Sequence, residues 1–310
     1  MNKRQKEILL SQLNDEKQVI KELKKVYEKA EKDIDAKIAA LLARTDVENL
    51  QSIIYQVDYQ KALKKQIGAI LDEMNASQFT SISDYLVKCY EEGFLGTLYD
   101  MQGQGVPLIF PIDQWQVVKA VTLDSKLSKK LYTKLGEDVD DLKKRVSAEL
   151  ARGISQSYSY AQIARNIRNQ TSIGMNRSMR IARTEGHRVT QQATFDSQQK
   201  AKEAGADVVK QWDSTLDSRT RPMHQQLDGQ IRELDDCFTV GIYKAMYPSG
   251  FGVPHMDIHC RCALLQRAKW AIDDDEVDYT KFDGNKGQLV DLSDAENFKA
   301  FKDRYGQAFR

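Results

Sequence analysis

Potential metal ligands are concentrated in residues 212–262, about one-sixth of the chain. This stretch holds three of the four cysteines and three of the four histidines: Cys237, Cys260, Cys262, His224, His255 and His259. Zinc sites in proteins combine thiolate and imidazole ligands in a tetrahedral arrangement. Because Cys260 and Cys262 are two residues apart, an extended segment would point both side chains to the same side. The pattern therefore predicts a candidate metal site that includes this pair.

The candidate ligands come from distant positions in the sequence. Three residues form the basic set, His224, Cys260 and Cys262, and the fourth ligand would be Cys237, His259, His255 or Asp228. The spacing differs from the common zinc-finger pattern, which combines a C-x2-C pair with H-x3-5-H. The alternative is a pair of reduced core cysteines beside a hydrogen-bonded histidine. We therefore expect one structural zinc ion as the candidate cofactor, and no other cofactor.

A polar cluster in the same stretch raises the question of catalysis. Its members are Asp217, Arg219, Arg221, His224 and Asp228. A metal ion with an open coordination position could activate water there, as in a metal-dependent hydrolase or nuclease. Two thiolates with an imidazole are more typical of a closed structural site. The sequence also contains no P-loop, H-E-x-x-H or G-x-S-x-G motif, so we predict a protein that is not an enzyme.

A family resemblance rests on two motifs in this stretch. The first reads Asp217-x-Arg219-Thr220-Arg221-x2-His224-x2-Leu227-Asp228-Gly229, and about thirty residues later the second reads Cys260-Arg261-Cys262. This combination resembles the Mu F-like family of phage minor head, or head morphogenesis, proteins. The segment from Ala182 to Ala193, which contains Arg183 and Glu185, resembles the family's Arg-Thr-Glu helix. His259 stands where family members commonly have a small or Asn-like residue.

The resemblance implies a structural protein of a tailed phage. Family members are associated with the portal inside the head, act in head assembly and, in some cases, in DNA delivery. The implied partners are the portal protein, other head proteins and packaged DNA. The implied location is the capsid interior near the portal, with the host cytoplasm during assembly. We expect structural roles for the motif residues Arg183, Glu185, Asp217, Arg219, Arg221, His224, Asp228, Gly229 and Arg261.

A run of arginines precedes the motifs. Between Arg145 and Arg188 there are eight arginines and no lysine, and only Glu149 and Glu185 oppose them. The guanidinium group binds phosphate and carboxylate groups through two parallel hydrogen bonds. The candidate contacts to nucleic acid or a partner are Arg165, Arg168, Arg177, Arg180 and Arg188. The alternatives are a DNA-binding module and, more simply, salt bridges to the acidic N-terminal helices.

Composition narrows the function classes. The net charge of +1 predicts no attraction of the whole protein to nucleic acid or membranes, so any such preference must come from local patches. No run of about 18 apolar residues is present, and the first residues do not form a signal peptide, so we expect no membrane partner. Four cysteines in 310 residues fit reduced thiols or metal ligands in a cytoplasm, unless the protein is packaged elsewhere.

The secondary structure is predicted to be helical up to about residue 206 and mixed α+β after it. In the N-terminal part, helices are expected over 3–44, from about 45 to 74, and over 77–99, with a possible break in the last of these at Gly93 or Gly96. Further helices are expected over 114–121, 125–151, 160–174 and 176–204. Residues 207–212 read as a strand, followed by a short helix that carries His224, a hairpin turn at 227–230, a return strand at 231–238, a loop at 241–254 and a last strand at 261–266. The first helix suits either a coiled coil or a hairpin with the next helix.

The predicted fold class is α+β, with a long all-α N-terminal region followed by a small α+β Mu F-like domain. Four consecutive parts are expected. They are a helical arm (1–105), a helical region with the arginines (106–205), the motif domain (206–270), and an acidic linker with a short helix over 293–305 (271–310).

Overall fold

The computed structural model describes residues 2–42, 51–106, 120, 131–155, 160–215, 217–272 and 302–303. Four long helices come first: α1 (Lys3–Leu42), α2 (Gln51–Gly103), α3 (Leu131–Ser155) and α4 (Tyr160–Glu203). A small mixed region follows: β1 (Val208–Asp213), α5 (Pro222–Leu227), β2 (Ile231–Arg232), β3 (Phe238–Val240), β4 (Tyr243–Ala245), α6 (Pro254–Asp257), β5 (Ala263–Ala268) and a 3-10 turn (Lys269–Ala271). The predicted α+β class is confirmed.

Three predicted helix interruptions are wrong, and at two of them, Gly93 and Gly174, the glycine allows close packing. Helix α2 continues through residues 75–76 and through Gly93, and α4 continues through Gly174. A Cβ atom at Gly93 would lie 2.4 Å from the carbonyl oxygen of Thr190, so α2 and α4 approach each other closely at this position. A Cβ atom at Gly174 would lie 3.3 Å from the Leu142 side chain. Glycine is used here for close approach rather than to end a helix.

Several predictions lie outside the described residues. The helix at 114–121, apart from Ala120, is one of them. So are the acidic linker from 273 onward and the short C-terminal helix, apart from Lys302 and Asp303. Within the described ranges, no helix is long and apolar enough to cross a membrane.

The chain forms two compact units that are not consecutive in sequence. Unit 1 contains Met1–Lys17, Asp84–Lys129 and Ala182–Arg310, and unit 2 contains Gln18–Ser83 and Lys130–Ile181. Helices α1, α2 and α4 each contribute residues to both units. This arrangement therefore differs from the four consecutive parts expected from the sequence.

Unit 2 is held by an aliphatic helix core. Its buried members come from all four long helices: Tyr27, Ala30, Ile34, Ile38, Leu63, Ile67, Leu71, Met74, Val139, Leu142, Val146, Leu150, Ile163 and Ile167. We call this set the aliphatic cluster. The hydroxyl group of Tyr27 meets Gln78 at 2.9 Å and Ser178 at 2.8 Å, which satisfies the polar atom that enters this core. The stripe on α1 therefore packs within the chain, as the hairpin alternative predicts.

Unit 1 contains the strands. Strand β1 is central in the antiparallel order β2-β1-β5, and its six residues pair with β5 from Val208 opposite Ala268 to Asp213 opposite Ala263. The return strand is shorter than predicted, because β2 has only two residues. Strands β3 and β4 form a separate hairpin: β3 begins where the predicted return strand ends, and β4 lies inside the predicted loop. Gly241, with a φ of 55°, occupies the first position of its two-residue turn, where glycine is favoured.

Glutamine side chains close the outer edge of β5. Gln191 of α4 accepts a hydrogen bond from the Leu264 amide at 2.7 Å, and Gln104 accepts one from the Ala268 amide at 2.9 Å. Gln104 also donates to the Gln266 carbonyl at 3.0 Å. An uncovered edge strand would leave such groups unpaired. These contacts fix β5, and the segment that precedes it, against the helical part of unit 1.

Candidate metal site and its surroundings

Three of the predicted ligands converge in unit 1. The Nδ1 atom of His224 lies 3.2 Å from Sγ of Cys262 and 3.7 Å from Sγ of Cys260. One ligand atom from each of the three residues lies within 4.8 Å of the others, and all three residues are buried. Among the described residues, no other group of three or more His, Cys, Asp or Glu side chains comes this close together. We call these three residues the ligand cluster.

The turn after β1 places His224. Pro222 begins α5, in keeping with the preference of proline for the first helical turn. The Ser214 hydroxyl donates to the His224 carbonyl at 2.7 Å, and the Ser214 amide donates to the Asp228 carboxylate at 2.7 Å. Gly229 follows with a φ of 76° and leads the chain back beside Trp212. The Asp-Gly pair therefore forms the predicted turn, but it connects α5 to β2 rather than β1 to β2 directly.

The turn before β5 places the two cysteines. The Asp257 carboxylate accepts hydrogen bonds from the amides of Phe251 at 3.2 Å, Gly252 at 2.6 Å and Val253 at 3.2 Å. The Asp257 carbonyl in turn accepts a hydrogen bond from the Cys260 amide at 3.1 Å. His259 has a φ of 57°, so the backbone reverses just before the cysteines. The role of Asp257 was not predicted, because its carboxylate binds amides four to six residues earlier in the chain, which no local turn pattern indicates.

The charged motif residues bind one another and the backbone. Arg261 donates two hydrogen bonds of 2.6 Å to the Asp217 carboxylate, and these bonds hold the Asp217 pKa well below its usual range. Arg221 donates to the carbonyls of Met256, at 3.4 Å, and Ile258. Arg219 lies at the surface, 3.5 Å from Asp217. The contacts of Asp217, Arg221 and Arg261, which we call the clamp, therefore join the turn after β1 to the turn before β5.

The two thiols in the ligand cluster differ in their environment. A hydrogen bond from the Cys262 thiol, together with the imidazoles of His187 and His224, lowers the Cys260 pKa. The same neighbouring thiol and burial raise the Cys262 pKa. His187, on α4, was not among the predicted ligands. It is separated from the motifs in sequence, and only the packing of α4 brings it near Cys260.

The residues predicted as a fourth ligand are placed elsewhere. Sγ of Cys237 contacts Sδ of Met246 at 3.3 Å, outside the ligand cluster. His255 is exposed and packs against the Tyr243 ring, with 5.2 Å between ring centroids. Asp228 is used by Ser214, and His259 is exposed at the rim of a small depression that the ligand cluster also lines. None of the four joins the three converging ligand atoms.

Aromatic side chains surround the ligand cluster. The Trp212 ring lies edge-on to the His224 ring at 6.2 Å, and it also contacts Phe238 at 5.2 Å and Phe251 at 5.7 Å between centroids. Trp212 is completely buried. These rings form an apolar wall on one side of His224, so water reaches the cluster mainly from the side of the depression.

The arginine segment is mostly used inside the protein. Arg188 is buried and binds Glu185 at 2.8 Å, so the prediction that Arg188 contacts nucleic acid or a partner is wrong. Arg183 binds Glu16 of α1 at 2.9 Å, and Arg177 binds Asp138 of α3 at 3.2 Å. The Arg183–Glu16 pair matches the alternative of salt bridges to the N-terminal helices, whereas the other two pairs lie within α4 and between α4 and α3. The remaining candidates, Arg165, Arg168 and Arg180, are exposed.

Comparison with known proteins gives one family and two relatives. Residues 144–265 match the family described as "Phage Mu protein F like protein". The chain is 27% identical over 269 residues to "Minor head protein GP7" of Bacillus phage SPP1, with 85% of this chain and 80% of that protein covered. It is 30% identical over 275 residues to "NAD(+)--arginine ADP-ribosyltransferase EFV" of Enterococcus faecalis (strain ATCC 700802 / V583), with 86% of this chain covered.

The two alignments differ in how much of the relative they include. The chain spans about half, 55%, of the length of the ADP-ribosyltransferase. No solved structure matches the chain. The family match contains both sequence motifs and the α4 segment from Ala182 to Ala193. Residues 144–265 therefore match the phage Mu protein F like family, and together with the SPP1 relative this match supports a phage head morphogenesis family.

Proposed function

We propose that the protein is a structural minor head protein of a tailed phage. It would act in head assembly from the capsid interior near the portal. The observation that carries this proposal is the alignment with the SPP1 minor head protein, which includes 85% of this chain and 80% of that protein. The correspondence therefore extends to the N-terminal helices and is not restricted to the motif region (residues 206–270).

The use of the motif residues supports a structural role. An active site keeps its polar groups available for substrate in a concave pocket. Here, Asp217 and Arg261 bind each other, and Arg221 binds two backbone carbonyls. The side chains of the clamp are therefore occupied in joining two turns of the fold.

The exposed arginines are the proposed contact surface for packaged DNA or an acidic partner. Arg165, Arg168 and Arg180 all lie on α4 within unit 2. If these residues contact phosphates, the affinity for DNA falls steeply as the salt concentration rises. Replacing all three by alanine should weaken binding at low salt and reduce its salt dependence.

A control for this test is available in the same unit. Lys21, Lys24 and Lys25 are exposed on α1, and their replacement removes the same charge from a different helix. Equal loss of DNA binding in both triple variants would show a general charge effect and would remove the arginine surface from the proposal. No binding by the wild type at low salt would remove DNA as a direct partner.

The main test uses phage particles. Quantitative mass spectrometry would measure this protein relative to the major capsid protein, before and after triggered DNA release. A few copies per particle support the minor head proposal. Loss of those copies with the DNA would indicate delivery, and retention would indicate a fixed assembly component. Absence from purified particles would overturn the proposal.

Enzymatic activity is the second candidate, because one relative at 30% identity is named an arginine ADP-ribosyltransferase. This chain spans only 55% of that relative, so the shared region is compatible with a non-catalytic part. Incubation with labelled NAD⁺ and an arginine-containing acceptor would test transfer. Incubation of linear and circular DNA with divalent metals would test a hydrolase or nuclease at the ligand cluster. Label transfer or DNA cleavage that is lost in a His224→Gln variant would favour an enzyme.

A further inference from the structure

The ligand cluster brings together side chains from two separate turns of unit 1. His224 lies on α5, after β1, whereas Cys260 and Cys262 lie in the segment that leads into β5. Nδ1 of His224 is 3.2 Å from Sγ of Cys262 and 3.7 Å from Sγ of Cys260, so one ring nitrogen faces both sulfur atoms. All three residues are buried. Three atoms that zinc prefers as ligands therefore converge on one point.

We propose that His224, Cys260 and Cys262 bind one zinc ion and that the fourth ligand is a solvent molecule. The protein ligand atoms are Nδ1 of His224 and the two Sγ atoms. The fourth position faces the small depression that these three residues line. The sequence predicted a fourth protein ligand, and the proposal differs from that prediction in giving this position to solvent. It does not depend on whether the protein is part of a phage head.

The separations between the ligand atoms fit a tetrahedral zinc site. With zinc–sulfur bonds of about 2.3 Å and zinc–nitrogen bonds of about 2.0 Å, a nitrogen and a sulfur ligand lie about 3.5 Å apart and two sulfur ligands about 3.8 Å apart. The two nitrogen–sulfur separations, 3.2 Å and 3.7 Å, lie on either side of the first value. All three ligand atoms lie within 4.8 Å of one another. Zinc binding therefore needs the two sulfur atoms to approach each other by about 1 Å at most.

The chemistry of the three ligands selects zinc among the common divalent cations. Thiolates are soft ligands that bind zinc in preference to magnesium or calcium, and imidazole also suits zinc. Two thiolates balance the charge of Zn²⁺, so the site is neutral as a whole and its burial is less costly than that of a net charge. Two cysteines, one histidine and one solvent molecule form a set of ligands that zinc proteins use.

The surroundings of His224 leave one side of the site open. The rings of Trp212 and Phe251 each lie 6.2 Å from the His224 ring, between centroids, and close the apolar side. On the other side, the depression is lined by all three ligands, with Arg219 and His259 among its other residues. Among the described residues, no further His, Cys, Asp or Glu, including His187, belongs to the group of mutually close ligand atoms. The depression therefore gives the ion its path from solvent and its fourth ligand.

Ser214 supports both halves of the site. Its hydroxyl group donates to the His224 carbonyl at 2.7 Å and lies 3.4 Å from Sγ of Cys262. Contacts of this kind orient metal ligands and tune them. The clamp, through Asp217 and Arg261, joins the same two turns. The ligand atoms are therefore held close together by contacts that do not involve the ion.

A zinc ion at this point would add a third connection between the two turns. The motif region is small, and metal binding commonly provides stability that a small core does not. Removal of the ion by a chelator should therefore speed hydrogen exchange in the motif region. The aliphatic cluster of unit 2 contains none of the ligands and is the internal control. Equal loss of protection in both places would contradict a local role for the ion.

The first experiment measures the metal on the full chain. Protein purified without chelators is expected to hold about one zinc per chain by elemental analysis. Well-folded wild-type protein that holds no zinc and does not bind added Zn²⁺ or Co²⁺ would overturn the proposal. X-ray absorption at the zinc edge should show two sulfur ligands, one imidazole and one oxygen. A second imidazole, from any histidine, would overturn the solvent ligand.

His259→Gln tests the fourth position separately. His259 lines the depression, and it is the predicted fourth ligand that lies nearest to the cluster in sequence. If solvent is the fourth ligand, zinc affinity should be unchanged in this variant. A loss on the order of 100-fold would make His259 a ligand and would overturn the solvent position.

Variants of the three ligands test the rest of the site. Since the loss of an outer partner of a metal ligand costs about 10–100-fold in affinity, His224→Gln should cost on the order of 100-fold or more. The Cys260→Ser, Cys262→Ser double variant should abolish binding. His255→Gln and Cys237→Ser are matched controls, because both residues lie outside the cluster, and they should leave the affinity unchanged. Unchanged affinity in His224→Gln would overturn the proposal. If a ligand variant does not fold, the metal content and absorption spectrum of the wild type decide.

Discussion

The aliphatic cluster of unit 2 and the motif region of unit 1 reach stability by different means. The aliphatic cluster buries 14 residues, and 13 of them are aliphatic or Met. The motif region buries Trp212 and Phe238 together with ionisable groups, among them Lys210, His224 and Asp228. Long helices therefore close a core almost entirely with hydrocarbon, and the one hydroxyl among these 14 residues, that of Tyr27, has hydrogen-bond partners. The short strands and turns of the motif region also rely on specific polar contacts.

Two buried charged groups of unit 1 show how specific these polar contacts are. The ammonium group of Lys210, which is fully buried, donates to the carbonyls of Leu234 at 3.0 Å and Met246 at 3.1 Å. It also lies 4.8 Å from the centre of the Phe195 ring. Elsewhere in unit 1, the buried Asp100 carboxylate accepts hydrogen bonds from four side-chain amides, those of Asn2, Gln5, Gln104 and Gln266. Each group is individually costly to bury, and each has its partners.

The largest expected effect is a cavity in the aliphatic cluster. Leu142 is fully buried, so Leu142→Ala should lower the free energy of unfolding by about 3–4 kcal/mol. Ile173→Ala is the control in the same unit, because Ile173 is 45% exposed, and it should change stability by less than about 0.5 kcal/mol. Denaturant titration measures both. Similar losses in the two variants would contradict the assignment of stability to this core.

The next largest effect is a pH dependence of stability that is expected in unit 1 and not in the aliphatic cluster. Burial raises the pKa of Glu92, in unit 1, from 4.5 to about 7, although Lys302 opposes the shift. Because the folded state keeps the proton to higher pH than the unfolded state, stability should fall as pH rises from 4.5 to 7. Over this pH range the free energy of unfolding should fall by about 3 kcal/mol at most, and Glu92→Gln should remove this dependence.

The pH effect has a clear control. Unfolding followed by hydrogen exchange reports the two units separately, and the aliphatic cluster has no carboxylate among its members. Its protection should therefore show no such slope in either the wild type or Glu92→Gln. An unchanged slope for unit 1 in the variant would assign the pH dependence to another group.

A smaller effect is expected for Lys210→Met. The loss of two hydrogen bonds is offset by the removal of a buried charge, so stability at pH 7 should change by about 1 kcal/mol or less. Burial lowers the pKa of Lys210 from 10.5 to about 8. Between these values the unfolded state binds more protons, so wild-type stability should rise with pH, and the variant should lose this rise. A loss of more than about 3 kcal/mol at pH 7 would show that the ammonium itself stabilises the fold.

The smallest effect concerns the clamp. Arg261→Lys keeps the charge but loses the two-fold hydrogen bond to Asp217, and both side chains are partly exposed. The expected cost is about 0.5 kcal/mol, measured by thermal unfolding. Arg219→Lys, at the surface beside the same carboxylate, should have no measurable effect. A cost above about 2 kcal/mol for Arg261→Lys would show that the clamp organises the whole motif region.

Much of the fold and part of the site could be predicted from local sequence patterns. The stripe on α1, the strand at Val208 and the convergence of His224 with the C-x-C pair all follow from spacing and turn residues. The predictions that were wrong concern glycines and charges. Gly93 and Gly174 read as breaks because sequence does not reveal a neighbouring helix. Arg188 read as exposed because its partner Glu185 neutralises it only once α4 is packed.

Local sequence patterns specify which residue types are available at the site and where the chain turns. These patterns include the Asp-Gly turn before β2, the proline at the start of α5 and the two-residue spacing that places both cysteine side chains on one side of the segment. Which distant groups meet at this point depends on how the helices and strands pack. This packing placed His187 of α4 beside Cys260 and left Cys237 with Met246. The physical reason is that spacing along the chain sets local direction, whereas contacts between distant segments depend on how helices and strands pack.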